Sequence, residues 1–295
     1  MPEQGTFRRA AIFGTGLIGG SFALALRKYA PEIRVAGWDR EAVVQEACAM
    51  GAVQDVYFRD VPHALAGADL IYLALPIGVT LDVLPELLRH APPNALITDA
   101  CSTKLRIAER AAELLTQGPQ AGAVFLPGHP MAGKETSGIS NATADLFQRA
   151  AYALVGESSA AQQDARVRAF VTLVEKIGAR PVWIGARQHD YAVALVSHLP
   201  QLVATGLASF LYDRLDENGL PVTLAGPGLR DTLRLAGSSY STWRDVLLTN
   251  REFLAPVLEL FSRHLDELRE KLASRDLEAG FDAANELYNL LRNLR

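Results

Sequence analysis

The sequence is poor in cysteine, with only Cys48 and Cys101 among 295 residues. These two residues supply neither a disulfide framework nor the C-x-x-C pairs of a zinc site, and they favour a reducing compartment, the cytoplasm. A basic excess is also absent, since the formal net charge is −4. This balance argues against binding to nucleic acid or to an anionic membrane surface, because both partners select for surplus lysine and arginine.

Long apolar runs are missing as well. No uninterrupted run of about eighteen apolar residues occurs, so the sequence predicts no membrane-spanning helix. The stretch after Arg8 and Arg9 is interrupted by glycines and lacks the pattern of a secretory signal. What the sequence does contain is 49% hydrophobic and 21% charged residues, the profile of a globular protein long enough for two domains.

A glycine motif near the N-terminus organises the first half of the chain. An apolar segment, residues 10–13, predicts a buried strand, and it leads into G-T-G-L-I-G and then a helical pattern. In this context Gly14 permits a tight turn, Gly16 lets a pyrophosphate approach the backbone, and Gly19 lets the helix pack against the strand. The phosphates would lie at the helix N-terminus, where free N–H groups favour anions. The motif therefore predicts dinucleotide binding.

A second apolar segment, residues 33–38, ends in Asp39. A carboxylate about twenty residues after the glycines is where the adenosine ribose hydroxyls are held. Asp39 would repel a 2′-phosphate, so the sequence favours NAD, while the adjacent Arg40 leaves NADP open. The alternative is a loop aspartate with a structural role only.

Apolar, β-rich segments alternate with helical segments as far as about Gly185. The predicted strands cover residues 10–13, 33–38, 53–57, 69–76, 95–99, 123–126, 151–155 and 180–184. This alternation predicts an α/β fold, a Rossmann-type doubly wound and mostly parallel sheet.

From Arg187 onward only helical patterns occur. A nearly all-round apolar helix over 189–214, kinked by Pro200, indicates burial in a helical core or subunit interface. The sequence further predicts a loop over 221–230, a helix over 241–274 broken near Pro256, and a helix over 275–294. We therefore predict a dinucleotide-binding domain over 1–185 and an all-helical domain over 186–295, with the site between them.

Two polar segments follow predicted strands. In the first, Ser102 lies beside the predicted nicotinamide and could donate to substrate or cofactor, although it or Thr103 could instead cap the next helix. In the second, His129 lies between glycines and precedes a proline, which holds its backbone extended. A histidine there can take a hydroxyl proton while hydride leaves the same carbon, whereas the alternative is a surface loop residue.

Two further candidates come from the helical half. His198 interrupts the long apolar helix, where a buried core histidine is the alternative interpretation. Arg230 and Arg234 lie four residues apart on a predicted helix, and either guanidinium could bind a carboxylate. The pattern alone does not choose between these two arginines.

Taken together, these motifs resemble the prephenate/arogenate dehydrogenase (TyrA) family. GTGLIGGS, Asp39, TDACSTK, GHPMAGKETSG, SHLPQ and LRDTLRLA…STWRD occur in this order, from about Arg8 to the C-terminus. The glycine motif is shared with many dehydrogenases, whereas HPMAG with SHLP at this spacing is specific to the family.

The resemblance implies oxidative decarboxylation of prephenate or arogenate in tyrosine biosynthesis, a homodimer formed by the helical domain, and no metal. It implies that His129 hydrogen-bonds the substrate 4-hydroxyl, that Ser102 sits beside that hydroxyl, that Arg234 binds a substrate carboxylate and that His198 lines the pocket. Lys104 and Gln201 are expected at the substrate as well, and Glu135, Asp231 and Trp243 have supporting roles. The cofactor contacts are expected from Gly14, Gly16, Leu17, Ile18, Gly19, Asp39, Arg40, Leu75, Pro76 and Ser102.

The sequence also departs from the family pattern. Many relatives have glycine where this chain has Cys101, and SHLPH where it has Gln201. Two other functions stay open: a β-hydroxyacid dehydrogenase, which usually relies on a lysine in the helical domain, and a non-catalytic NAD-binding protein.

Overall fold

The structure is a computed structural model that describes residues 7–117, 122–156, 162–215, 220–274 and 276–293. Within these ranges the strands all precede Gly185 and form two sheets, whereas the chain from Ala186 onward is helical. The two halves of the chain therefore have the architecture that the sequence predicts.

The first sheet has six parallel strands in the order β3-β2-β1-β4-β5-β6. They are β1 (Arg9–Phe13), β2 (Arg34–Trp38), β3 (Asp55–Tyr57), β4 (Leu70–Leu73), β5 (Leu96–Asp99) and β6 (Val124–Leu126). The strand order reverses between β1 and β4. In doubly wound sheets, ligands bind at the carboxyl ends of the strands beside such a reversal. The predicted doubly wound, parallel sheet is confirmed.

Helices cover both faces of this sheet. They are α1 (Leu17–Tyr29), α2 (Glu41–Ala49), α3 (Val61–Leu65), α4 (Ile77–His90), α5 (Leu105–Gln117) and α6 (Ala165–Lys176). Successive residues of β1 point to opposite faces, so that Ile12 packs in one apolar core with Phe22 of α1, and Phe13 packs in a second core with Leu87 of α4. A strand buried on both faces explains the continuous apolar run in the sequence.

A second, three-stranded sheet follows, with β7 (Gly128–Pro130) antiparallel to β8 (Ala151–Val155) and β8 parallel to β9 (Arg180–Ile184). The sequence predicts β8 and β9 but not their separate sheet, and it predicts no strand over residues 127–145. That segment contains β7 and a 3₁₀ turn, Ile139–Asn141. Glycine and proline are rare in strands, which hides β7 from sequence patterns.

One long helix opens the C-terminal half, in three parts: α7 (Ala186–Val193), a π-helical turn (Ala194–His198) and α8 (Leu199–Tyr212). The predicted irregularity at Pro200 takes the form of this π turn, in which the N–H of Leu199 bonds to the carbonyl of Ala194. Proline has no N–H and its ring clashes with the preceding turn, so a widened turn before it relieves the helix. The turn includes His198, and π turns are frequent at functional sites.

The sequence predicts that this helix is buried in a helical core or in a subunit interface. Within the single chain, one side of the helix is exposed. Tyr191, Val196 and Tyr212 are 51%, 69% and 75% exposed. By length and composition alone, Ala186–Tyr212 is also long and apolar enough to cross a membrane, a property that helices packed on a protein core can share. However, His189 and Asp190 are buried on its inner side against the rest of the protein, as in a helix that packs on a folded domain. The other side is an apolar surface.

The remaining helices are α9 (Leu220–Thr223), α10 (Pro227–Leu233), a 3₁₀ turn (Arg234–Gly237), α11 (Tyr240–Thr249), α12 (Arg251–Lys271) and α13 (Glu278–Asn293). The loop predicted over 221–230 is wrong, because Pro227 occupies a first helical turn, where proline is tolerated. The break predicted near Pro256 lies instead at Asn250, and α12 continues through the proline. The helix predicted over 275–294 is present as α13, with Arg275 and Leu294 outside the described residues.

Candidate active site

The glycine loop after β1 has the geometry that a dinucleotide needs. Gly14 has φ +89°, and a Cβ there would lie 2.4 Å from the Ala74 carbonyl oxygen. A Cβ on Gly19 would lie 1.8 Å from the carbonyl oxygen of Gly14, so α1 packs directly against the turn. By contrast, no atom lies within 4 Å of a Cβ built on Gly16. The fold therefore requires glycine at two positions and leaves space at the third.

That space lies at the start of α1, where the N-cap residue is Gly16, which has no side chain that could cap the helix. Leu17 and Ile18 are the first two helical residues, and N–H groups in a first turn have no partner within the helix. An anion at this position would be stabilised by those N–H groups and by the helix dipole. The loop thus fits a pyrophosphate.

Asp39 follows β2 and is held against the glycine loop. Its carboxylate accepts hydrogen bonds from the backbone N–H of Thr15, at 2.6 Å, and of Arg40, at 2.7 Å. The Arg40 side chain is exposed at the start of α2. The carboxylate is therefore oriented beside the loop that fits the pyrophosphate, as a ribose ligand would be.

Leu75 and Pro76 follow β4, the strand that lies between β1 and β5 in the sheet. The Leu75 side chain is within reach of a Cβ on Gly14, and the Leu75 carbonyl oxygen lies 3.6 Å from Cys101 Sγ. Pro76 is exposed and is the N-cap residue of α4. Burial raises the pKa of the Cys101 thiol to about 12, so this residue is a packing group and not a nucleophile.

In the loop after β5, Ser102 is half-buried, whereas its neighbours Cys101 and Thr103 are buried. Thr103 bonds to Thr249 of α11, with 2.8 Å between the hydroxyl oxygens, and Cys101 is buried. The cap of α5 is neither Ser102 nor Thr103. Asp190 of α7 supplies it, accepting from the N–H groups of Lys104, at 2.7 Å, and Leu105, at 2.9 Å.

Lys104 does not lie where the sequence predicts. Its side chain is completely buried, and the ammonium donates to the Asp99 carboxylate and, at 2.5 Å, to the Gly128 carbonyl oxygen. Asp99 also accepts from the Gly128 N–H at 3.1 Å. These bonds hold β7, which lies outside the first sheet, beside the end of β5. We therefore assign Lys104 to holding β7 in place, and not to a direct substrate contact.

His129 lies on β7, half-buried, and its ring meets the ring of His189 at 69°. The His129 Nδ1 is 2.9 Å from the His189 Nε2. Burial lowers the pKa of His129 well below its ordinary value of 6.5, and the charges that His189, Lys104 and His198 can carry lower it further. At neutral pH His129 is an uncharged imidazole, which is the state required of a general base.

His198 is buried at the end of the π turn. Its Nδ1 is 2.8 Å from Asn250 Nδ2, and its ring packs edge-on against Trp243, with 5.7 Å between centroids. Burial lowers the pKa of His198 to about 4. This histidine is also neutral near pH 7, and it belongs to one polar cluster with His129 and His189.

Arg234 is exposed in the 3₁₀ turn after α10, where its guanidinium pairs with the Glu135 carboxylate of the loop after β7. Gln201 of α8 is buried and donates to the Leu235 carbonyl oxygen at 2.9 Å, which fixes the same turn. Gln201 Oε1 is buried without a hydrogen-bond partner. The structure thus brings Gln201 to the backbone beside Arg234.

Three residues of the polar cluster around His129 and His198 are not predicted from the sequence: His189, Asp190 and Asn250. His189 and Asp190 precede SHLP on the same helix, and a buried aspartate on an apolar helix is rare enough to be a signal. Asn250 is recognisable only from the structure, at the break between α11 and α12. Among the described residues no group of three or more histidine, cysteine, aspartate or glutamate side chains could hold a metal ion.

Comparison with known proteins identifies the family. Residues 22–183 match the nucleotide-binding domain of prephenate dehydrogenase, and residues 185–292 match its dimerization domain. The first match begins after the glycine motif, so the evidence for the motif as a dinucleotide site is the geometry of its loop. The chain is 36% identical to the prephenate dehydrogenase of Lactococcus lactis subsp. cremoris over 92% of this chain and 73% of that protein.

Two solved structures share the fold over nearly the full length. Synechocystis arogenate dehydrogenase is 29% identical with a TM-score of 0.76, covering 97% of this chain and 99% of that one. Prephenate dehydrogenase from A. aeolicus, solved with hydroxyphenyl propionate and NAD+, is 24% identical with a TM-score of 0.86, covering 98% of each chain. The chain belongs to the prephenate dehydrogenase family.

Proposed function

We propose that this protein catalyses the NAD+-dependent oxidative decarboxylation of prephenate to 4-hydroxyphenylpyruvate, or of arogenate to tyrosine. Relatives named prephenate dehydrogenase and arogenate dehydrogenase support both substrates. The observation that carries the proposal is the position of His129. Asp99, at the end of β5, accepts from the N–H groups of both Cys101 and Gly128, and so holds His129 beside the Ser102 loop.

In this reaction the ring carbon that bears the hydroxyl loses hydride and the ring carboxylate leaves as CO₂. The hydroxyl proton that a base accepts during hydride loss returns to the same oxygen as the ring becomes aromatic, so the product is a phenol. Aromatisation makes the step downhill, so the protein mainly has to orient the substrate and accept one proton. We assign proton acceptance to His129, a contact with the hydroxyl to Ser102, the substrate carboxylate to Arg234, and a pocket wall to His198.

The glycine loop and Asp39 are the residues that would hold the dinucleotide, which supplies the hydride acceptor when it is bound. The space at Gly16 fits the pyrophosphate, and Asp39 fits the ribose hydroxyls. A 2′-phosphate would meet the Asp39 carboxylate, which supports a preference for NAD+ over NADP+. Arg40 is the group that could offset that repulsion.

We further propose a domain boundary at residues 185 and 186, a cytoplasmic location, and a homodimer formed through the helical domain. The match to a dimerization domain and the exposed apolar side of Ala186–Tyr212 support the dimer. A monomer at micromolar concentration in light scattering would contradict it.

The alternative of a β-hydroxyacid dehydrogenase has less support. The single lysine of the helical half, Lys271, is exposed at the C-terminal end of α12. It is not part of the cluster around His129. A non-catalytic NAD-binding protein is not favoured by the family match.

The test of the proposed function is formation of reduced cofactor by the purified protein, with prephenate and arogenate each crossed with NAD+ and NADP+. Turnover with NAD+ and either ring substrate is the expected result. If protein that binds NAD+ in calorimetry forms no reduced cofactor in any of the four combinations, the proposal is contradicted.

Arg234→Ala is expected to raise the KM for the ring substrate about 10-fold to 100-fold with a smaller change in kcat. A hydrogen bond to a charged group contributes roughly 1.5–3 kcal/mol, and this arginine is exposed, which lowers the expected effect towards the smaller value. Arg230→Ala is the matched control, because Arg230 lies exposed one helical turn earlier. A KM left unchanged by Arg234→Ala would remove Arg234 from the site.

The pH dependence of kcat/KM should lack an acidic limb near pH 6.5. Because the pKa of His129 lies well below that value, the base stays unprotonated as the pH falls through 6.5, and activity is lost only near the lowered pKa. Initial rates across the acidic range measure this, with recovery at neutral pH as the control for unfolding. A limb centred near pH 6.5 would contradict the assignment.

A further inference from the structure

We propose that Asp190 anchors two hydrogen-bond chains that fix opposite tautomers of the two active-site histidines. One chain runs from its carboxylate through His189 to His129, and the other runs from its backbone carbonyl through Asn250 to His198. Asp190, His189 and Asn250 are then positioning residues. The inference rests on the proposed function for its catalytic meaning, whereas the tautomers themselves can be tested without substrate.

The first chain begins at two buried side chains. His189 Nδ1 is 2.8 Å from Asp190 Oδ1, and a carboxylate accepts hydrogen bonds, so Nδ1 carries the hydrogen. Asp190 also accepts the N–H groups of Lys104 and Leu105. With its hydrogen on Nδ1, the His189 imidazole presents the lone pair of Nε2 to the next residue.

The next link is the 2.9 Å contact between His189 Nε2 and His129 Nδ1. Since His189 accepts here, His129 must donate, and its hydrogen lies on Nδ1. The Nε2 of His129 is then an unprotonated nitrogen, the only form that can take a proton from a substrate hydroxyl. Within the described part of the chain no protein group bonds to this nitrogen.

The second chain begins at the carbonyl oxygen of Asp190, which accepts from Asn250 Nδ2 at 2.8 Å. This bond fixes the orientation of the amide, because a flipped Asn250 would place two oxygens against each other. The same NH₂ group lies 2.8 Å from His198 Nδ1. An amide NH₂ only donates, so His198 Nδ1 accepts and the hydrogen of this neutral imidazole lies on Nε2.

The two neutral histidines therefore differ in what they offer a ligand. His129 offers an acceptor at Nε2, and His198 offers an N–H donor at Nε2. A donor suits a carbonyl or carboxylate oxygen of the substrate, and it cannot accept the hydroxyl proton. Asp190 also caps α5, directly after the loop of Ser102, so one buried residue orients three candidate site residues.

The direct test is the tautomeric state in substrate-free protein. Solid-state ¹⁵N spectra of histidine-labelled protein resolve protonated from unprotonated ring nitrogens, and the sequence has six histidines to assign. We expect protonated Nδ1 at His129 and protonated Nε2 at His198, near neutral pH. The same tautomer at both residues, or the reverse assignment at either, would overturn the proposal.

The kinetic test compares two substitutions at His189. His189→Leu removes the acceptor for His129 Nδ1, and we expect kcat to fall about 100-fold with little change in KM, together with mixed tautomers at His129. His189→Gln restores an acceptor oxygen near the position of Nε2 and should recover most of kcat. His90→Leu, at an exposed histidine on α4, is the matched control and should leave kcat unchanged.

These measurements separate the inference from the proposed function. If neither ring substrate is oxidised, the proposed function fails while the ¹⁵N spectra still decide the tautomers. Equal losses of kcat in His189→Leu and His189→Gln, matched by equal losses of thermal stability, would indicate a purely structural role and overturn the inference. An unchanged His129 spectrum in His189→Leu would overturn it as well.

Discussion

His129→Asn is expected to lower kcat by about 10²- to 10⁴-fold, the usual contribution of a positioned general base. Asparagine is chosen because its amide nitrogen can replace His129 Nδ1 as the donor to His189, while nothing replaces Nε2. The contacts of β7 with β8 involve the backbone and stay unchanged. The substitution therefore removes the proton acceptor and leaves the surrounding structure in place.

The affinity for NAD+ should change less than about twofold in this variant, because the residues assigned to the dinucleotide lie in the glycine loop and at Asp39. Calorimetric titration with NAD+ measures the affinity, and initial rates with a saturating ring substrate measure kcat. His90→Asn, on the surface of α4, is the matched control. A kcat within threefold of the unsubstituted protein would remove His129 from the mechanism.

The sequence predicts the first domain well because its signals are local. The apolar run before Gly14 forms β1, and the roles predicted for Gly14 and Gly19 agree with the space around them. Asp39 follows β2 and bonds to the glycine loop. Each of these features depends on a short segment whose residue types encode a turn, a strand or a helix start.

The rest of the site depends on contacts between distant segments, which a sequence pattern does not contain. Asp190 caps a helix that begins 85 residues earlier in the chain. Asn250 bonds to His198 across 52 residues. The family resemblance implies a substrate contact for Lys104, whereas its partners Asp99 and Gly128 place it in the core.

The buried pair of Lys104 and Asp99 leads to the largest expected loss of stability. Both side chains are fully buried, and the ammonium also donates to the Gly128 carbonyl oxygen. Lys104→Met fills similar volume but leaves the Asp99 carboxylate buried without its counter-charge. Removing one partner of a buried ion pair costs about 3–5 kcal/mol. For a chain of this size that corresponds to a fall in the apparent Tm of roughly 10 °C.

Thermal unfolding by circular dichroism, at one protein concentration and without NAD+, measures this loss. Lys176→Met is the matched control, because Lys176 pairs with Glu32 at 3.0 Å on the surface, with side chains 47% and 55% exposed. Exposed pairs contribute about 0–1 kcal/mol, so its Tm should fall by only a degree or two, roughly. Equal shifts in the two variants would show that the buried pair contributes no more than the exposed one.

The double variant Lys104→Met with Asp99→Asn tests whether the uncompensated charge is the cause. The amide introduced by Asp99→Asn would be neutral, and its oxygen could still accept from one of the two N–H groups, of Cys101 and Gly128, that Asp99 accepts now. We expect the double variant to recover part of the Tm lost in Lys104→Met, because no unpaired charge remains in the core. A double variant less stable than Lys104→Met would instead assign the cost to the lost hydrogen bonds that hold β7, and hence His129, at the end of β5.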